Sequence, residues 1–282
     1  MNGIEVKNLT VQMEGFTLDN VSIDVPAGVV MGLIGRNGAG KSTLINSIAD
    51  CTEKKAGEIR INGNTVSEDR VKFFSDLAVV FDKLIYNDYF KVGKLEKLFM
   101  KIRPDFDSHF FNTYLDFFRI DRYKRISKLS FGMKKKLQLI AAMSMRPSVL
   151  ILDEPTTGID PADRSEIIDL ISDFMMDEEH TVMLSTHITG DLDKIGDYIT
   201  LIDDGKIVFS ESKVDLQDRY RLIRTDKSIL STIDTGKLIG VHENSFGVEA
   251  LTDDEKIFSR PGVTAVIPTI EEIMLHFTER RA

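Results

Sequence analysis

Four continuous apolar runs give the chain its frame: Val29-Val30-Met31-Gly32-Leu33-Ile34, Leu77-Ala78-Val79-Val80-Phe81, Val149-Leu150-Ile151-Leu152 and Thr181-Val182-Met183-Leu184-Ser185. Unbroken runs of this length predict strands buried on both faces, as in a parallel sheet. Ahead of them, Ile4-Glu5-Val6, Leu9-Thr10-Val11 and Val21-Ser22-Ile23-Asp24-Val25 alternate apolar with polar, which predicts strands with one wet face. Pro26-Ala27-Gly28 breaks that pattern before the first buried run. Helical spacing fills the gaps. It runs over Ser42–Ile48, over Leu129–Met145 up to Pro147, and from Ala162 to about Met176, with Ile167, Ile168, Ile171 and Met175 on one face. The DG turn Asp203-Asp204-Gly205-Lys206 closes a hairpin between Tyr198–Ile202 and Ile207–Ser210. Strands alternating with helices predict an α/β fold.

Between 83 and 128 the pattern is helical and rich in aromatics. Phe110, Tyr114 and Phe117/Phe118 fall on one helical face, and a few exposed rings near Tyr86–Phe90 are expected to form a groove for a partner helix. After about 212 the character changes. Lys237–Val241 and Gly247–Leu251 predict short strands, and a last helix from Thr269 to Arg280 carries a capping box, Thr269 with Glu272. This C-terminal part predicts a small α+β accessory domain.

The chain has 282 residues, a net charge of −9 and one cysteine. That charge excludes a general basic field for nucleic acid and leaves only local patches such as Lys134-Lys135-Lys136. A lone Cys51 excludes an internal disulfide framework and is expected to be a small buried thiol after the first helix. MNGIEVKNLT lacks the pattern of a signal peptide, and no apolar run approaches roughly 18 residues. The expectation is a soluble chain, or one peripheral to a membrane.

The chemistry concentrates at the ends of the buried runs. Gly35-Arg36-Asn37-Gly38-Ala39-Gly40-Lys41-Ser42 fits G-x-x-x-x-G-K-[ST] between a strand and a helix, the Walker A phosphate loop. Its glycines let backbone N–H groups turn inward around phosphate oxygens, with the helix start adding its positive dipole end. Lys41 is expected to reach the β- and γ-phosphates and the Ser42 hydroxyl to ligate Mg²⁺, with Thr43 beside it. Val149–Leu152 ends in Asp153-Glu154, acids at the end of a parallel strand where α/β folds bind ligands. Asp153 is expected in the Mg²⁺ shell, and Glu154 is placed to polarise an attacking water. His187 stands just past the Thr181–Ser185 strand. Ser130 is expected to cap the next helix, which by itself reads as an ordinary capped helix with a solvated lysine face.

Together these pieces resemble the ATP-binding subunit of an ABC transporter, over residues 1 to about 210. GRNGAGKS resembles the Walker A motif, VLILDE Walker B, LSFGM the signature, TTGIDP the D-loop and STH the switch histidine. The match is closest to the bacterial exporter type with a separate permease, whose C-terminal helix PTIEEIMLHFTERR resembles. The resemblance implies a phosphate-loop NTPase core with an N-terminal antiparallel β subdomain and a helical signature subdomain. The boundaries are 1–212 for the ATPase domain, about 83–147 for the helical part and 213–282 for the accessory domain. It also implies a head-to-tail homodimer, or a heterodimer with a paralogue, around two Mg-ATP at the cytoplasmic face of the membrane. Ser130 and Gly132 would face the partner's γ-phosphate. Glu154 would be the catalytic base, His187 would hold the γ-phosphate, and Asp160 would signal across the dimer.

Three departures stand out. Asp82 occupies the usual glutamine position after Phe81, either as an Mg²⁺ ligand or as the plain end of a strand. Phe131 replaces a signature glycine. No tyrosine stands where adenine stacks, which leaves Phe16 or Met13. Alternatives to an exporter are a non-transport ABC ATPase, on a scaffold or DNA, and a degenerate nucleotide sensor.

Overall fold

The computed structural model describes residues 2–244 and 247–278. A long hairpin opens the chain, β1 (Asn2–Met13) and β2 (Phe16–Pro26), followed by β3 (Val30–Ile34), α1 (Lys41–Ile48), β4 (Ala56–Ile61), α2 (Arg70–Asp76) and β5 (Leu77–Val80). Three helices come next, α3 (Val92–Ile102), α4 (Ser108–Phe117) and α5 (Phe131–Met143). Then come β6 (Val149–Asp153), α6 (Pro161–Phe174), β7 (Thr181–Ser185), α7 (Thr189–Ile195), β8 (Tyr198–Asp203) and β9 (Lys206–Ser212). The remainder is α8 (Lys213–Arg219), β10 (Arg221–Thr225), α9 (Lys227–Leu230), β11 (Ile239–Asn244), β12 (Gly247–Thr252), α10 (Glu255–Phe258), β13 (Val263–Val266) and α11 (Ile270–Thr278).

The central sheet has the order β5-β6-β7-β3-β8-β9, parallel except for the last strand. Its unbroken apolar runs arise because both faces are covered. In β6, Leu150 and Leu152 enter the core shared with the helices, while Val149 and Ile151 enter the core beneath the N-terminal sheet. Val182 and Leu184 of β7 likewise face one side and Met183 the other. Because β3, β5, β6 and β7 run parallel, the residues after each strand collect along one rim. The N-terminal sheet, β2-β1-β4, is antiparallel and packs Val6, Ile23 and Ile59 in register into its core. A third antiparallel sheet, β11-β12-β10-β13, has a small core of its own around Ile223 and Ala250. α11 packs its Ile270 and Ile273 into the large core, and its start carries the expected capping box, with Thr269 N–H on Glu272 at 2.8 Å and Glu272 N–H on Thr269 Oγ1 at 3.2 Å. The last residues of the expected helix lie outside the described residues.

Several expectations need correction. Cys51 is exposed, because α1 ends at Ile48 and the chain turns outward through Asp50 at φ 56°. The buried face of α4 is set by Phe111, Leu115 and Phe118, at i, i+4 and i+7, so Phe117 falls outside it and is 69 % exposed. Tyr86 and Phe90 pack against the core, and burial raises the Tyr86 phenol; the exposed ring of that stretch is Tyr89. The lysine run is not a solvated face: Lys135 and Lys136 are buried. Among the described residues, no helix is long and apolar enough to cross a membrane.

Candidate functional site

A cleft of about 580 Å³ opens on the rim of the central sheet, between the loop after β3 and the turn joining β1 to β2. The loop backbone demands its glycines. A Cβ on Gly35, at φ +155°, would sit 2.3 Å from the Ile202 carbonyl oxygen, and one on Gly40, at φ +117°, would sit 2.8 Å from Leu18. No side chain caps α1, whose start borders the cleft, so its first N–H groups are available to an anion. Lys41 is buried; its Nζ donates to the Gly35 carbonyl at 2.7 Å and the Arg36 carbonyl at 3.4 Å. Burial lowers its pKa, while Glu154 and Asp153 pull the other way. Asn37, Gly38, Gly40, Ser42 and Thr43 line the cleft with it. Gly35 and Ala39 lie buried beneath the loop and do not line it.

Asp153 and Glu154 line the opposite wall. Asp153 is nearly buried, and its Oδ1 accepts from Ser185 Oγ at 2.5 Å across the β6–β7 ladder. Glu154 sits in the left-handed region at φ 50°, a conformation a non-glycine residue holds only when its surroundings fix it. Its N–H donates to the Ser185 carbonyl at 3.0 Å. Its carboxylate accepts from Thr157 Oγ1 at 2.6 Å and bonds His187 Nδ1 at 2.8 Å. A carboxylate only accepts, so Nδ1 is the donor of this bond. Ser42 and Asp153 line the same cleft and would supply the hard oxygen donors that Mg²⁺ prefers. The residues therefore fit that ion.

Asp82 also lines the cleft, but its Oδ1 lies 3.0 Å from Lys135 Nζ. At the cleft mouth, Phe16 packs partly into the core, whereas Met13 is 49 % exposed with its sulfur 3.8 Å from Thr43 Oγ1.

Ser130, Gly132 and Asp160 do not line this cleft. Ser130 caps α5, accepting from Met133 N–H at 3.2 Å. Asp160 caps α6, accepting from Ala162 and Asp163 N–H groups at 3.0 Å. A Cβ on Gly132 would fall 1.9 Å from Asp163 Oδ2, so only glycine lets the two helix starts approach. Lys136 pairs there with Asp163 and Glu166. Phe131, in place of glycine, is half exposed on the outer side.

Sequence reasoning missed the supports behind these groups. Ser185 and Thr157 fix the two acids, and buried Asp191 joins Thr156 at 2.7 Å to Arg164 at 2.6 Å, tying the loop after β6 to α6 and α7. Ser185 and Thr157 lie inside the quoted motifs STH and TTGIDP, which was the available signal. A larger cavity of about 820 Å³ near Phe110, Arg146 and His180 holds none of the motif residues, so chemistry rather than volume selects the cleft.

A family model described as ABC transporter matches residues 18–157. The bacitracin transport ATP-binding protein BcrA of Enterococcus faecalis is 29 % identical over 221 residues, covering 77 % of this chain and 72 % of that protein. The energy-coupling factor transporter ATP-binding protein EcfA of Pediococcus pentosaceus is 32 % identical over 223 residues, covering 74 % of this chain and 78 % of its own length. A solved structure of an ATP-binding subunit of an ABC transporter superposes with a TM-score of 0.69 at 24 % identity, over 76 % of this chain and 92 % of its own. The chain belongs to the ABC transporter family, as one of its ATP-hydrolysing, ATP-binding subunits.

Proposed function

We propose that this chain is the ATP-binding and hydrolysing subunit of an exporter. In this reading it pairs head-to-tail, with a copy of itself or a paralogue, around two Mg-ATP and drives substrate out through a separate membrane permease at the cytoplasmic face. The observation that carries the reading is the split site. Lys41, Ser42, Asp153, Glu154 and His187 converge on one rim, whereas the capped helix starts at Ser130 and Asp160 lie outside that cleft. Bacitracin transport, the role in the name of BcrA, supports transport of a substrate as the output.

Phosphoryl transfer leaves the protein mainly positioning and charge stabilisation to supply. Lys41 exchanges its loop carbonyls for phosphate oxygens as nucleotide enters. Glu154, held on both carboxylate and backbone, orients the attacking water and takes its proton. His187 keeps Glu154 in place through Nδ1 and turns its other edge to the γ-phosphate. Ser42 and Asp153 would hold Mg²⁺, which when bound would supply positive charge beside the phosphates. Ser130 and Gly132 of the partner close the site from the far side, the helix start of α5 adding N–H groups toward the γ-phosphate. Adenine rests against Met13 or Phe16. Residues 213–282 act as an accessory domain, and the helical part at about 83–147 receives the permease.

The test is the mass of Glu154→Gln in solution. With Mg-ATP, and with any paralogue and permease supplied, it should form a dimer that disperses when ATP is exchanged for ADP. A chain that binds ATP yet never pairs would defeat the reading.

A further inference from the structure

Lys135, the fifth residue of α5, is only 3 % exposed, and it belongs to no motif. Its ammonium has three N–H groups, and each has an acceptor. These are the Asp82 carbonyl at 2.8 Å, Asp82 Oδ1 at 3.0 Å and the Glu154 carbonyl at 3.1 Å. Asp82 stands two residues past β5 and Glu154 directly past β6, its neighbour in the sheet. One nitrogen therefore fastens the start of α5 to the ends of two central strands. The need for such a fastening is visible at Glu154. Its left-handed backbone is held at the N–H by Ser185, and its carbonyl accepts from Lys135 Nζ at 3.1 Å and, at the longer 3.4 Å, from the Thr157 N–H.

We propose that Lys135 is a positioning residue for hydrolysis. It fixes the Glu154 turn and binds Asp82 to it, so that Asp82 serves as the counter-ion of Lys135 and not as a ligand of the nucleotide's Mg²⁺. The inference rests on the reading of Glu154 as the catalytic base. An aspartate at this position adds negative charge beside the phosphates, and a buried lysine one bond away offsets it. Movement of α5 then carries Asp82 and Glu154 together, because all three share the same ammonium.

The experiment measures phosphate release against ATP and against Mg²⁺ for the parent protein, K135M, K135R, D82N and E154Q. K135M should lower kcat by about tenfold or more, as misplacing a reacting group does, while KM for ATP stays within about threefold. K135R, which keeps the cation and its donors, should recover part of kcat. D82N should leave the Mg²⁺ concentration for half-maximal rate unchanged. Combined with K135M, it should add little to the loss. A K135M protein with the parent's kcat would overturn the proposal. So would a D82N protein needing several times more Mg²⁺, the signature of a lost ligand, a readout that stands even if K135M does not fold. E154Q separates the two claims: full activity there removes Glu154 as base, whereas loss in E154Q without loss in K135M removes only the role of Lys135.

Discussion

The rim around Lys41 and the outer helix starts at Ser130 and Asp160 belong to one family signature but are built differently. On the rim, each group proposed for catalysis is anchored inside the chain: Asp153 by Ser185, Glu154 by Thr157 and His187, Lys41 by its own loop. At the helix starts, Ser130 and Asp160 cap their own first turns and do not line the cleft. The difference teaches where each half of the reaction is stored. In the proposed reading, binding and proton transfer are held by one subunit, and closure depends on a surface that this subunit offers to another.

Substitutions can break that contrast, beginning with the largest effect. Glu154→Gln should cut ATP turnover by roughly 10²–10⁴-fold while a fluorescent ATP analogue still binds, since a base acts only in the transition state. Lys41→Ala should instead strike binding. Losing a charged donor to phosphate costs about 1.5–3 kcal/mol, roughly 10- to 150-fold in Kd by equilibrium titration. On the outer side, Gly132→Ala must push Asp163 off Lys136, and urea unfolding should show a loss of about 1–3 kcal/mol with turnover falling alongside. Ser130→Ala removes only a cap, about 1 kcal/mol by the same measurement.

The smallest effect is one of pH. The N–H groups of Asp163 and Ala162 hold the Asp160 carboxyl below the usual carboxylate range. A lowered folded-state pKa gives stability that is present above the ordinary value, near 3.9, and is lost as pH falls through the lowered one. Asp160→Asn, which still caps, should therefore flatten the unfolding profile below about pH 4 and leave it unchanged at neutral pH.

The rim was legible in the sequence because its residues follow unbroken apolar runs. Val149–Leu152 reads as a buried strand from composition alone, and Asp153-Glu154 must then emerge at its end. The supports were not legible. Nothing in Lys134-Lys135-Lys136 says which lysine turns inward, since successive helical residues differ by about 100° and the acids that draw two of them in are distant in sequence. Asp82 lies 53 positions from Lys135, and Asp163 lies 27 from Lys136. β4 escaped because half of Ala56–Ile61 is exposed and its pairing with β1 spans a long gap. Cys51 was misplaced because a single apolar thiol carries no periodicity to set its face.

Complementation between two disabled chains tests the split site most directly. Lys41→Ala lacks its own phosphate grip but offers an intact α5 start, and Ser130→Arg has the opposite defect. Each alone should release almost no phosphate from ATP. Mixed in equal amounts, they should regain turnover, because one of the two shared sites then has both halves sound. A mixture no more active than the sum of its parts would contradict the account.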